Sequence, residues 1–216
     1  MKIIPRDNLP TFSLPLPIFS SIHIADAICQ RGEEYDVFVG LGKEYVEQLK
    51  QLSLDESDVD LQNSTGDRNR FGVGSYEDWY KKGRTPFCLV HKQTDALAAV
   101  IWIGPKPLGI KSQKFGKDEK YKTQNEWHTI SWRSYPVFRG RGMMKNFTKF
   151  VMDTYRMKFP NMKLWAGMDD RNTAMFKLSS ELGFEADESS SDLANNWLVM
   201  VKGQYIPYHK SKMFGY

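Results

Sequence analysis

The stretch W-H-T-I-S-W-R-S-Y-P-V-F-R-G-R-G-M-M-K-N-F, from Trp127 to Phe147, decides the fold. Trp127 to Tyr135 is rich in β-branched and aromatic residues and reads as a strand. Pro136 stops it, because proline has no N–H to give to a sheet ladder. Arg139, Gly140, Arg141 and Gly142 form a loop, and a helix begins near Met143. Met143, Met144, Phe147, Phe150, Val151, Tyr155 and Phe159 recur at helical spacing, with Lys145, Asn146, Lys149, Asp153 and Arg156 on the opposite face. Pro160 lies just past the end.

A strand, a glycine-rich loop and a helix start together suit an anion. The first turn of a helix has backbone N–H groups without partners and a partial positive charge. Glycines let the backbone approach a ligand closely, because no Cβ intervenes. Arg139, Arg141 and Lys145 add positive charge at the same turn, as a phosphate or pyrophosphate would require. The loop lacks the Gly-Lys-Ser/Thr of a Walker sequence, and G-x-G-x-x-G is incomplete after Gly142. A tight basic turn, or an Arg-Gly contact to nucleic acid, is the competing reading of the loop alone.

The 216 residues fit one domain with additions, or two small ones. A net charge of +4 and a pI near 8.9 permit an acidic partner without requiring one. The cationic run Arg139, Arg141, Lys145, Lys149, Arg156, Lys158, Lys163 reads more readily as a solvated helix face than as a nucleic-acid surface. Cys29 and Cys88 lack metal-ligand spacing and read as small buried apolar residues; no metal is expected. Pro5, Pro10, Pro15 and Pro17 break the first apolar residues, so they do not read as a secretory leader, and no run is long enough to cross a membrane. A cytoplasmic location is the expectation.

Upstream, residues 1–18 read as extended, and a helix is expected from about Ser20 to Arg31, closed by Gly32. Asp36 to Leu41 reads as a short strand and Lys43 to Leu52 as a helix. Residues 53–75, acidic at first, read as a long loop, either mobile or functional. Ser75 is placed as the N-cap of a short helix ended by Gly83. Phe87 to His91 and Leu97 to Ile103 make a hairpin, and 108–125 a lysine-rich loop. Lys163 to Met168 is a strand. Asn172 caps a helix from about Thr173 to Leu182, with Gly183 at its C-terminal cap position. Trp197 to Val201 is the last clear strand.

This order, with P-V-F-R-G-R-G-M-M at 136–144 and N-T-A-M-F-K-L-S-S-E-L-G-F at 172–184, resembles the GNAT superfamily of acyl-CoA N-acyltransferases. The loop signature of that family is Arg or Gln, two residues, Gly, one residue, then Gly or Ala. The resemblance covers roughly 85–202. It implies an α/β (α+β) fold: a mixed, mostly antiparallel central sheet flanked by helices, with a V-shaped cofactor cleft between the two central strands. The expected division is an N-terminal extension with one helix over 1–35, an acyltransferase domain over 36–202, and an aromatic and basic tail over 203–216.

The resemblance further implies an N-acetyltransferase with acetyl-CoA as acyl donor. The acceptor would be a primary amine on a small molecule or a protein, and the enzyme a monomer or homodimer. The pyrophosphate would rest on backbone N–H groups of Arg139, Gly140, Arg141, Gly142, Met143 and Met144. Backbone groups of Trp132, Arg133 and Ser134 would hold the pantetheine arm and polarise the acyl carbonyl, and Asn172 would reach the cofactor side of the cleft. Two departures stand out. Met144 replaces the usual Gly or Ala, and Ser179 stands where many members place a tyrosine that protonates the CoA sulfur. These departures also fit a non-catalytic acyl-CoA-binding module on the same fold.

An alkylammonium of pKa about 10.4 is only about one part in 10³ neutral at pH 7, a deficit of roughly 4–5 kcal/mol. A base or a desolvating pocket must help. Glu126 and His128, two residues apart, are the candidate bases, with packing or surface roles as the alternative. Ser179 is a candidate hydrogen-bond donor to the thiolate, with Tyr205 or Tyr208 as substitutes.

Overall fold

The structure, a computed structural model, describes residues 1–108 and 126–203. One nine-stranded sheet runs through it: β1 (Lys2–Pro5), β2 (Ser21–Ile28), β3 (Glu34–Gly40), β4 (Thr85–His91), β5 (Ala96–Pro105), β6 (Trp127–Ser134), β7 (Lys163–Asp169), β8 (Glu185–Ala186) and β9 (Trp197–Lys202). The spatial order is β1-β2-β3-β4-β5-β6-β7-β9-β8. Every pairing is antiparallel except β6 with β7.

Among the described residues five α-helices cover the two faces: α1 (Lys43–Leu54), α2 (Val59–Ser64), α3 (Tyr76–Tyr80), α4 (Met144–Arg156) and α5 (Thr173–Glu181). Alternation along the strands sorts the side chains between them. Phe87 and Leu89 of β4 and Ile101 and Ile103 of β5 share a core with Phe147, Val151 and Tyr155 of α4. Their neighbours Cys88, Val90, Val100 and Trp102 join Tyr45, Leu49, Phe71, Tyr76 and Trp79 on the other side. Every residue of β4 is buried, as expected of a strand covered on both faces. Cys29 and Cys88 are both free and buried, in agreement with their reading as apolar residues.

Two expectations are corrected. Residues 21–28 form strand β2, not a helix. Their apolar positions miss a clean period of two because a β-bulge between His23 and Ala25 shifts the phase. Ile24 and Ala25 are therefore both buried, which imitates helical spacing. Gly32, at φ +83°, closes the turn between β2 and β3, and its N–H donates to the Cys29 carbonyl at 3.0 Å. Residues 53–75 are not an open loop either. They carry the end of α1, then α2, then a π-helical turn at Arg68–Gly72. Except for Leu108, the 108–125 reading lies outside the described residues, and so does the tail beyond Gly203 with Tyr205 and Tyr208.

Candidate active site

β6 and β7 run parallel for only three residue pairs, Trp127↔Lys163, His128↔Leu164 and Thr129↔Trp165. Beyond them the strands part. β6 continues along β5 as far as Ser134, and β7 continues along β9 as far as Asp169. The gap is a V whose walls are Ile130–Ser134 and Gly167–Asp169, and a cavity of about 680 Å³ fills it. The backbone of β6 is aimed into this gap. Glu126 C=O accepts from Lys163 N–H on the β7 side, and Trp127 C=O accepts from Lys106 N–H on the β5 side. Alternation then turns the backbone groups of Ile130, Trp132 and Ser134 toward the opening. Two of those carbonyls are already occupied. Trp132 C=O accepts from the Arg133 guanidinium at 2.6 Å, and Ser134 C=O from Arg139 Nε at 2.8 Å.

Trp132, Arg133, Ser134, Arg139, Gly140 and Asn172 line this cavity together. Asn172 caps α5, its Oδ1 accepting from Met175 N–H at 3.0 Å, while its flank faces the opening. Gly140 stands at φ +72° with open space where a Cβ would lie. Gly142 follows at φ +68° and leads into α4, whose N-terminus has no side-chain cap. Met143 is buried and Met144 packs against the core, so neither side chain obstructs the loop.

The arginines of the loop are not bare cations. Arg139 makes a two-pronged pair with Asp58, at 2.8 and 2.6 Å. Asp58 is almost fully buried and also caps α2, accepting from Leu61 N–H at 3.1 Å. Arg141 pairs with Glu33 and donates to Val137 C=O at 2.6 Å. Arg133 pairs through two nitrogens with the buried Asp67. Lys145 lies 3.2 Å from Glu181. Asp58 in the acidic 55–60 segment is thus neither solvated nor open to an amine: it fastens α2 to the loop.

The proposed catalytic side chains do not meet in the cleft. His128 points beneath α4 and hydrogen-bonds through Nδ1 to the Tyr155 hydroxyl at 2.9 Å. Burial, helped by the charge of Arg84, pushes its pKa down to about 4, so the ring is neutral at pH 7. Glu126 sits outside the β6 ladder, half-exposed, 3.2 Å from Lys163 Nζ. Ser179 is fully buried in α5, and its hydroxyl has no hydrogen-bond partner among the described residues. None of the three lines the cavity.

The sequence reading allowed residues 53–75 a functional role but named none of them; α2 brings Asn63, Ser64 and Thr65 over the opening. That reading missed a second cavity of about 600 Å³ on the other face of β6. Thr129, Ser131 and Arg133 form its floor, and it shares Asn63–Thr65, Ser131, Arg133 and Gly167–Asp169 with the first. A signal was present: in T-I-S-W-R the polar residues alternate with apolar ones on a strand central to the sheet. A polar stripe on a buried strand marks a cavity or a partner.

These features define a class: the molecule has the fold of the GNAT N-acyltransferases. No family model and no curated protein matches the sequence. Solved structures do. The GNAT domain of S. lividans PAT superposes with a TM-score of 0.59 at 12% identity, over 82% of this chain and 94% of that one. A GNAT-family acetyltransferase from Listeria monocytogenes gives 0.57 at 14%, over 82% and 98%. RimL, a ribosomal L7/L12 alpha-N-protein acetyltransferase solved with coenzyme A, gives 0.53 at 14%, over 78% and 94%. At such identities the likeness is one of fold.

Proposed function

We propose that the protein is an acetyl-CoA-dependent N-acetyltransferase acting on a primary amine by direct attack. The observation that carries this reading is the V between β6 and β7, bordered by a glycine loop that runs into an uncapped helix. Cleft-facing N–H groups of Trp132 and Ser134 suit the amide and carbonyl oxygens of a pantetheine thioester. The free N–H groups of the first α4 turn suit a pyrophosphate. Gly140 and Gly142 supply the left-handed backbone and the space for close approach. With Arg133, Arg139 and Arg141 held by carboxylates, the phosphates rest mainly on backbone N–H groups and the helix dipole. The same pairing neutralises two members of the cationic run, Arg139 and Arg141, which further disfavours a nucleic-acid surface.

Acyl transfer needs a neutral amine attacking the thioester carbonyl, collapse of the tetrahedral intermediate, and departure of the CoA thiolate. The thiolate, of pKa near 8.5 by analogy with cysteine, departs without a strong acid. No tyrosine lines either cavity among the described residues. Of the carboxylates, Asp169 lines both cavities. Its partner Arg171, with backbone and side-chain hydrogen bonds, holds its pKa at about 2, so Asp169 accepts a hydrogen bond from the amine but is a feeble base.

Calorimetric titration with acetyl-CoA and CoA, with ATP as control, tests the reading. Micromolar binding of both, with ATP inert, is expected. Gly142→Asp places a negative charge and a strained backbone at the phosphate seat, and is expected to weaken CoA binding at least tenfold. A folded Gly142→Asp protein that binds acetyl-CoA like the wild type overturns the loop assignment.

A further inference from the structure

The second cavity carries information about the acceptor. Five cationic side chains line it: Arg70, Lys82, Arg84, Lys106 and Arg133. The one carboxylate among the described residues of its lining, Asp169, is engaged by Arg171 through two hydrogen bonds of 2.8 and 2.7 Å. Asp67, buried beneath the floor, serves Arg70 and Arg133 at once. One carboxylate is therefore shared between two guanidiniums. Lys82 and Arg84 have no ion pair with a carboxylate among the described residues; Arg84 donates only to the Pro105 carbonyl, at 3.1 Å.

Three of these charges are held over aromatic rings. Arg133 lies over the Trp102 ring at 4.7 Å and Arg70 over the same ring at 5.7 Å. Lys106 lies 5.5 Å over Trp165. Trp79 and Trp197 also line the cavity. The excess is felt by its own members: burial and the neighbouring Arg70 lower the pKa of Arg84, and burial with repulsion from Arg133 lowers that of Arg70.

We infer that the acceptor is a small primary amine that also carries a carboxylate or phosphate group, the anion seated among Lys82, Arg84 and Arg70 and the amine presented at Ser131 toward the V. This rests on the acetyltransferase reading and names its substrate class. A polyamine or other multiply charged cation is excluded from the site by the same field. A preformed cavity of about 600 Å³ lined by aromatic rings and a few fixed charges fits a small molecule.

The test is calorimetry on the purified full chain in the presence of CoA. O-phosphoethanolamine and γ-aminobutyrate are the anionic probes, ethanolamine and butylamine their counterparts without the anion, and spermidine the cationic probe. Binding at least tenfold tighter for the anionic members is expected, with no preference for spermidine. In Lys82→Gln/Arg84→Gln that preference falls at least tenfold while the acetyl-CoA titration stays unchanged. Lys82→Gln alone, at an exposed position, shows a smaller loss of the same sign and keeps the test valid if the double variant folds poorly. Ethanolamine or spermidine binding as tightly as O-phosphoethanolamine overturns the inference. If acetyl-CoA binds and spermidine is the better acetylated amine, the acceptor class falls and the transferase reading stands. If anionic amines bind but acetyl-CoA does not, the transferase reading falls and the anion site stands.

Discussion

Arg139, expected to lend its charge to the loop, is paired with Asp58 instead. Its place in the loop resembles a family signature, and its positive charge suggests a phosphate contact. The structure spends that charge on Asp58, a carboxylate almost fully removed from water. Arg139→Ala leaves Asp58 with only the Leu61 N–H, and an unsatisfied buried acceptor costs about 1–3 kcal/mol, more when charged. A loss of stability of that size, measured by urea denaturation, is expected, with a smaller loss in Arg139→Ala/Asp58→Asn, where no bare charge remains. Equal losses in the two variants refute the pairing as the source of stability. His128 offers a second prediction at this scale. Its folded pKa of about 4 lies below the ordinary value of 6.5, so the unfolded chain binds the extra proton between those limits. Its share of stability is complete above pH 6.5 and is lost as the pH falls toward 4. His128→Gln is expected to flatten that part of the stability profile, measured by urea denaturation at several pH values.

At the scale of elements, legibility followed the source of each element's stability. α4 was readable because its apolar stripe faces a core and repeats with the helical period. Asn172 was readable as a cap because capping is local chemistry, and the structure places its side chain on the Met175 N–H. β2 was misread because a single bulge moved the buried phase by one residue. α2 and the π-helical turn were missed for a different reason. In V-D-L-Q-N-S only Leu61 is buried, so no apolar pattern announces a helix. What holds the segment is ion pairing to residues 66 to 81 positions away, Asp67 to Arg133 and Asp58 to Arg139. No local window contains both partners. The cavity residues Asn63, Ser64 and Thr65 ride on that segment, so its functional role could be read from its length but its lining residues could not be named. Asp67→Ala is expected to cost about 3–5 kcal/mol, because it leaves Arg70 and Arg133 facing each other without a counter-charge. Hydrogen exchange should show residues 59–72 losing protection while β4 and β5 keep theirs. Uniform loss across the sheet shows instead that Asp67 supports the whole fold.

Across the whole molecule, the sheet separates two chemical environments that meet at one point. On one side of the V the glycine loop has its arginines neutralised and offers backbone N–H groups. On the other, cations outnumber carboxylates among the described residues. The two cavities join at Ser131, Arg133 and Gly167–Asp169, where an amine would reach a thioester. The apparent lack of a competent base follows from this arrangement. Among the described residues the cations of this lining still outnumber the carboxylates once the substrate's anion is seated on Lys82, Arg84 and Arg70, so an ammonium at Ser131 loses its proton more readily than in water, because like charge disfavours the charged form. The pocket that grips the anionic tail thereby supplies the neutral amine, and Asp169 needs only to orient it. This predicts a difference between two pH profiles of acetyl transfer to O-phosphoethanolamine. The profile of kcat/KM reports the free amine and should rise to its solution pKa, whereas kcat reports the bound amine and should level off at lower pH. In Lys82→Gln/Arg84→Gln the kcat break should move up toward the free-amine value, with KM for the amine raised and KM for acetyl-CoA unchanged. Coincident profiles in the wild type mean that the field does not act on the amine, and that a base outside the described cavity walls removes the proton.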